Sequence, residues 1–444
     1  MGERKGSMKI VPYKLETTND LLTANAGLIC LAELIEKIKL NELSNKYFPA
    51  PGSNRGFKAS SFVNAFILML HKGGNCLDDI VLIKQDQALC KLLGLTELPE
   101  ADSAGDWLRR VGTRGVKACE QLLSYTFNLA RGNCHDVTLD IDATLTASEN
   151  KNAQWTYKKC KGYMPMVGTI AETSQIIAVD FRHGNVAPNT DNLAFIGQCE
   201  ENLPAGVSLK AVRIDAAGYQ YKIIDDLTER KIEFAIRAKM SAGLKKEILS
   251  IPELQWENMK DRKGRDNTYE QTYRLVHTME KSKHAFEVVV QRRKTQGQME
   301  LDVGDTSEDS IIKGEYIYRA IATNSKRSNS DLVHWYNQRG DDSENRIKEL
   351  KADFGGQKVP CRDFDANALF FSLCALAHNL FALLKVALPS PLQNSRIKRV
   401  RLMLYGVAAK LTRHSRTMVL KVGACGIELL NETLRNIKRM ELYT

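Results

Sequence analysis

Four carboxylates stand in company that could turn them toward chemistry. "VTLDIDATL" puts Asp140 and Asp142 two residues apart in a segment that alternates like a strand, so both project from one face. "AVRIDAAGY" puts Asp215 near the end of a second such segment, just before a helix. Acids at strand ends sit where α/β sites form; a strand-end Asp is also a natural cap for the next helix. "YNQRGDDSENRIKELK", residues 336–351, brings Glu344. Alone, this stretch reads as a solvated helix face. Asp342 with Arg346 and Glu344 with Lys348 are acid-to-base pairs four residues apart, each worth about 0.2–0.5 kcal/mol. Two strand aspartates together with a helix glutamate can build a hard, all-oxygen site suited to two Mg²⁺ ions. In that chemistry one metal lowers the pKa of a water or a 3′-hydroxyl, and the other stabilises the leaving oxygen at phosphorus.

Such acids must be held by fixed elements, and the hydrophobic period says which. Residues 1–20 are polar. From 21 to 131 apolar residues recur at helical spacing, as in "NAGLICLAELIEKIKLNELSNKYF" and in "SSFVNAFILMLHKGG", which stops at a glycine pair. "LPEADSAGDWLRRVGTRG" reads as a turn, a cap and a short basic helix ending in Arg109 and Arg110, compatible with a helix-turn-helix or with any small bundle. The period then changes. Strands are expected over 136–147, 163–172 and 175–185, then a helix, a strand over 209–218, a second helix and a strand over 232–240. An antiparallel meander followed by crossovers implies a mixed sheet. Residues 241–315 add further strands, and 329–355 and 364–388 return to helix.

A rival chemistry starts from Asp140. DxDx[TV] after an apolar strand resembles the signature of haloacid-dehalogenase-type phosphatases, with Asp140 as nucleophile and Asp142 as general acid, and "GDTSED" at 304–309 supplies a GDxxxD. The context is wrong: two more strands precede the first helix, and the GDxxxD lies in a charged loop.

Gross features narrow the partners. A chain of 444 residues is too long for one core. The net charge of +10 favours a polyanionic partner. It is concentrated at the end, where 390–444 hold eleven Lys/Arg against three Asp/Glu. The ten cysteines are scattered singly, without zinc spacing, and are expected to be buried thiols in a reducing cytoplasm. "ALFFSLCALAHNLFALLKVAL", 368–388, contains His378, Asn379 and Lys385, which favours a buried helix over a membrane span.

Over nearly its whole length the sequence resembles a DDE transposase of the IS1380 family, within the IS4-like, RNase H-fold set. "SNRGF", "LDIDAT", "GYMPMVGTIAET", "RHGN", "RIDAAGY", "IEFAIRAKM", "YNQRGDDSENRIKELKADFG" and "PCRDFDANALFFSLCALAHNLF" carry the likeness in order. The resemblance implies an α/β fold: an RNase H-like mixed-sheet catalytic core (132–240 and 329–389) interrupted by a β-rich insertion (241–328). A helical N-terminal DNA-binding domain (1–131) would precede it and a basic helical C-terminal region (390–444) would follow. Asp142, Asp215 and Glu344 would be the catalytic, metal-binding acids, spaced by 73 and 129 residues, and would hold two Mg²⁺ ions, with Mn²⁺ as an alternative. A Y-x2-R-x3-E-x6-K signature would assign Tyr336, Arg339 and Lys351 to DNA phosphates; here four residues, not three, separate Arg339 from Glu344. Further DNA contacts are expected from Arg346, Lys348, Arg182, His183, Arg109 and Arg110. Trp256 could stack on a flipped base or belong to the core. Glu349, turned about 140° from Glu344 around a helix, should be a bystander. The implied partners are double-stranded transposon ends with their inverted repeats, target DNA and a second copy of the chain on paired ends. No membrane role is implied, and a bacterial, cytoplasmic setting is expected.

Overall fold

The structure is a computed structural model that describes residues 12–53, 56–295, 309–340, 345–415 and 417–442. A short strand, β1 (Leu21–Thr23), leads into α1 (Leu28–Lys37), α2 (Leu40–Tyr47), α3 (Ala59–Lys72), α4 (Val81–Lys84), α5 (Gln87–Leu92) and α6 (Ala101–Ala130). Strand β2 (Asp136–Ala143) follows, then a small patch of β3 (Thr146–Ala147), β4 (Gln154–Trp155) and β5 (Lys161–Tyr163). Next come β6 (Met166–Ile170), β7 (Ile176–Asp180), α7 (Asn192–Glu201), β8 (Ser208–Ile214), α8 (Tyr221–Glu229) and β9 (Glu233–Arg237). The region after it holds α9 (Ala242–Leu249), β10 (Glu257–Lys260), β11 (Asp266–His277), β12 (Phe286–Lys294), β13 (Ser310–Lys313) and β14 (Tyr316–Thr323). Helices α10 (Asn329–Arg339), α11 (Asn345–Asp353), α12 (Phe364–Ala387), α13 (Ser390–Gln393) and α14 (Ile397–Val400) precede β15 (Ala409–His414), β16 (Thr417–Val422) and α15 (Ala424–Arg439).

One mixed sheet organises the middle of the chain, in the order β10-β11-β12-β14-β9-β8-β2-β6-β7. β2, β6 and β7 form the antiparallel meander, and β8 and β9 run parallel to β2 through the crossovers α7 and α8. Within this sheet the order β2, β6, β7, α7, β8, α8, β9 follows the expected one. The chain adds the separate patch β3-β5-β4 between β2 and β6, which was not expected from the sequence. The insertion is not a detached block. Its strand β14 pairs antiparallel with β9, Ile321 opposite Arg237, so its strands extend the core sheet.

Alternation along β2, β8 and β9 sorts the side chains. Val137, Leu139, Ile141, Val212, Ile214, Phe234 and Ile236 point into an apolar core shared with α7, α8 and α9. Asp140, Asp142 and Arg213 take the other face, and α10 covers its neighbourhood with Leu332, Val333 and Tyr336.

The expected boundary at 131 is not a seam. Residues of α1, α3 and α6 share one hydrophobic core with α11, α12, α14 and α15. α6 is two helical stretches joined across Gly112, which adopts non-helical φ 45°, ψ −128°. The basic helix through Arg109 and Arg110 therefore breaks at the first residue of "GTRG", and a second stretch runs on to Ala130. At Gly115 an added Cβ would sit 2.7 Å from Leu369, so its bareness lets α12 pack closely. α12 is long and apolar enough to cross a membrane, yet 83% of its most apolar window is buried within the protein.

The C-terminal region is not purely helical. β15 and β16 form a hairpin, and β1 joins its edge, tying the two ends of the chain together. The cysteines divide: Cys30, Cys119, Cys199, Cys361 and Cys374 are buried, Cys76 and Cys425 are exposed, and the rest lie between.

Candidate active site

The carboxyl ends of β2 and β8 meet where the parallel part of the sheet begins. Their register pairs Asp140 with Arg213 and Ile141 with Ile214, which brings Asp142 beside Asp215 at the next step. Adjacent strands lie about 4.8 Å apart. Asp215 leaves β8 in extended conformation and caps the 3₁₀ turn Ala216–Gly218, its Oδ1 accepting from the Ala217 amide at 3.0 Å. The capping reading and the strand-end reading therefore both hold.

The two neighbouring aspartates of β2 have separate fates. Asp140 is fully buried and receives a two-pronged bond from Arg213, Nε to Oδ1 at 2.7 Å and Nη2 to Oδ2 at 2.8 Å. Arg213 also donates to the Trp335 carbonyl at 2.5 Å and lies over the Trp335 ring. Both carboxylate oxygens are thus engaged inside the protein, leaving no space for a phosphoester at Asp140. This removes the phosphatase reading, whose nucleophile Asp140 would be. Most of its GDxxxD lies outside the described residues. Asp142, one pleat further, is 19% exposed.

Arg339 lies beside Asp142 and feels the charge of both acids. Its Nη2 donates to the Ile141 carbonyl at 2.9 Å and approaches Asp142 Oδ2 at 3.6 Å. Burial works against its charge, but Tyr336, Asp142, Asp215 and Asp140 outweigh burial and hold the guanidinium above its ordinary value. Tyr336 is buried as well, donating to the Ile214 carbonyl at 3.2 Å. Lys351 donates to the Leu145 carbonyl at 2.5 Å. Burial, with Lys158 nearby, pushes its ammonium below the ordinary lysine value, while Asp142 pulls it back up.

Several assignments change on this geometry. Tyr336 and Arg339, expected on DNA phosphates, are buried and bond α10 to the Ile214 and Ile141 carbonyls at the ends of β8 and β2. Arg182 is buried, ion-paired to Asp180 at 2.6 Å and bonded to the Thr190 carbonyl at 2.9 Å, so it is not a cleft residue. His183 stacks on Phe364, ring centroids 4.1 Å apart. Arg346 is half-buried and donates to the Ala171 carbonyl at 3.2 Å. Lys348, Arg109 and Arg110 are exposed, and Arg109 is ion-paired to Asp106. Trp256 is buried under the Arg292 guanidinium, 4.3 Å from its ring centroid, so it belongs to the core. Glu349 is no bystander: it is buried and accepts from the Ile397 amide at 3.1 Å.

Glu344 lies outside the described residues, as do Asp341, Asp342 and Ser343. Within 336–351 the described residues include the end of α10 (to Arg339) and the start of α11 (from Asn345). Sequence reasoning missed Arg213. Its signal was available in "AVRID", a charge between apolar strand residues and in phase with Asp215.

Asp142 and Asp215 offer only carboxylate oxygens, which suits a hard divalent cation. Among the described residues no group of three or more His, Cys, Asp or Glu converges.

A comparison with curated proteins finds no match. Among solved structures, the cryo-electron microscopy structure of a piggyBac transposase synaptic complex with hairpin DNA is similar, with a TM-score of 0.43 and 11% identity, covering 85% of this chain and 80% of that one. The family model for the transposase DDE domain group 1 matches residues 9–442. With that match spanning all but the extreme ends, the chain belongs to the DDE transposase family of domain group 1.

Proposed function

We propose that this transposase cuts DNA at the terminal inverted repeats of its element and joins the freed 3′-hydroxyl to target DNA, in the manner of the IS1380 family. The observation that carries the reading is that Asp142 and Asp215 follow the last paired residues of two parallel strands, Ile141 and Ile214, with Arg339 beside Asp142 and interacting with both charges. The sheet order β7-β6-β2-β8-β9, a meander followed by parallel crossovers, fits an RNase H-like core.

Domains of this family generally use divalent metal ions. Asp142 and Asp215 would hold them, with Glu344, next in sequence to α11, as the third acid. When bound, such ions supply Lewis-acid stabilisation at phosphorus and lower the pKa of the attacking hydroxyl. The protein's own groups do the rest. The Arg213–Asp140 pair locks the register of β2 on β8, which sets the separation of the two acids. Tyr336 and Arg339 fix α10 to the ends of the same strands. Arg339 offsets the mutual repulsion of the acids, so that they stay poised at one point. Lys351 lies where a phosphate approaching Asp142 would meet a positive charge. Two copies acting on paired ends would explain how both ends are cut together.

The test is nicking of element-end DNA in the presence of Mg²⁺ by the wild-type chain and by Asp142→Asn. A wild-type chain that binds the end but never nicks it would favour the alternative, a transposase-derived DNA-binding protein that has lost its chemistry.

A further inference from the structure

The motifs "GYMPMVG" and "RHGN" hold no catalytic group, yet both contribute to one small structure beside the acids. Strand β2 passes Asp142 and continues through Leu145, whose carbonyl Lys351 binds, into β3. β3 pairs with β5, and β5 with β4, Trp155 opposite Lys161. The turn between β4 and β5 is closed by Thr156, whose amide and hydroxyl both donate to the Cys160 carbonyl, at 2.9 and 2.8 Å. Thr156 is buried, so Trp155 and Tyr157 on either side of it project outward, 63% and 60% exposed.

The mount is rigid. A Cβ on Gly162 would sit 2.4 Å from the Thr146 carbonyl oxygen, and one on Gly184 would sit 2.4 Å from the carbonyl oxygens of Gln154 and Gly162. His183 bridges to Tyr163 and stacks on Phe364 of α12. A firmly held hairpin thus presents two large aromatic rings to solvent, next to Lys158, Lys159 and Lys161. Single exposed apolar residues need no explanation. Two aromatics with three lysines at the edge of a phosphoryl-transfer site match the pattern that grips unpaired nucleic acid, in which bases stack on rings and cations follow the backbone.

We propose that hairpin 154–163 is a clamp for unpaired nucleotides at the cleaved DNA end, with Trp155 and Tyr157 stacking on bases and Lys158, Lys159 and Lys161 holding the adjoining phosphates. The proposal rests on the transposase reading above. It does not require the hairpin to touch the reacting phosphate.

The experiment compares binding of the full chain to a blunt duplex and to the same duplex carrying an oligo(dT) tail. Trp155→Ala with Tyr157→Ala should weaken binding to the tailed duplex by about 5- to 150-fold for each stacked base lost and leave the blunt duplex unchanged. Trp155→Phe, which keeps a ring, should retain most of the preference. Replacing the three lysines by Gln should lower the salt slope of tail binding by up to about 2. Thermal melting checks that the variants are folded, as expected for exposed positions. If the double alanine variant binds the tailed duplex as wild type does, while wild type still nicks element-end DNA, the clamp is refuted and the transposase reading stands. If the wild-type chain neither binds nor nicks DNA, both fail.

Discussion

Asp140 and Asp142 share a strand and a face, and replacing each by Asn should give opposite results. Asp140→Asn keeps the volume and one acceptor for Arg213 but removes the charge facing a guanidinium that is itself 2% exposed. Breaking a buried pair by removing one partner costs about 3–5 kcal/mol. Asn can still accept one of the two bonds, which puts the expected cost near the lower end, about 3 kcal/mol. For a cooperative unit of about 150–250 residues that corresponds to a fall in melting temperature of about 6–12 °C. The melt should be read alongside nicking per folded molecule, measured well below the transition. Asp140→Asn should melt lower but still nick. Asp142→Asn, at a position 19% exposed, should melt close to wild type, bind end DNA and not nick. A second variant, Arg213→Met, removes the other partner and should also melt lower. If Asp140→Asn melts like wild type and is the inactive variant, the chemical acid is Asp140 and the assignment along β2 is wrong by one pleat.

Other outcomes follow from the same structure. Arg339→Lys keeps a charge but not the planar fork that spans the Ile141 carbonyl and Asp142; nicking should fall by at least tenfold with end binding retained, checked by parallel gel-shift and nicking assays. Glu349→Ala leaves the buried Ile397 amide without its acceptor and should cost about 1–3 kcal/mol in a melt, with nicking per folded molecule preserved. His71 is buried between the Tyr405 hydroxyl and the Ala377 carbonyl, and burial, with Arg401 nearby, lowers its pKa to about 3. An unfolded chain therefore takes up its proton first, so stability is fully present above about pH 6.5 and is lost as pH falls toward 3. Melting temperatures across that window should drop more steeply for wild type than for His71→Gln. Arg399, Arg413 and Lys421 are exposed in the basic C-terminal region; exchanging all three for Gln should flatten the salt dependence of duplex binding by up to about 2.7 in slope if each meets a phosphate. Deleting 390–444 would not be a clean test of charge, because Leu392, Ile397, Leu404, Leu430 and Ile437 belong to the main helical core.

What could be read from the sequence was local. The alternation in "DVTLDIDA" and "LKAVRI" marked β2 and β8, and Asp215 stood out because a strand ended beneath it. Pairings between distant residues could not be read in this way. Nothing in a single sequence ties Asp140 to Arg213, 73 residues away, so the difference between the two neighbouring aspartates had to come from their partners in space. The insertion looked separate for the same reason: β14 meets β9 only after the chain has travelled through α9 and four more strands. "GTRG" marked a real break, because Gly112 leaves helical geometry there, but nothing in it signalled that a second helical stretch follows directly on to Ala130. Tyr336 and Arg339 matched a signature correctly, but their types gave no sign that they turn inward to strand carbonyls.

The most direct measurement is nicking of DNA that carries the inverted repeats flanking this reading frame, with and without Mg²⁺, by the wild-type chain, Asp142→Asn, Asp215→Asn and Glu344→Gln. The expected result is metal-dependent nicking by wild type at the repeat boundary and orders-of-magnitude slower nicking by all three variants, each still folded and still bound to the end. Nicking at wild-type rates by Asp142→Asn or Asp215→Asn would contradict the assignment of the paired strand ends as the catalytic site.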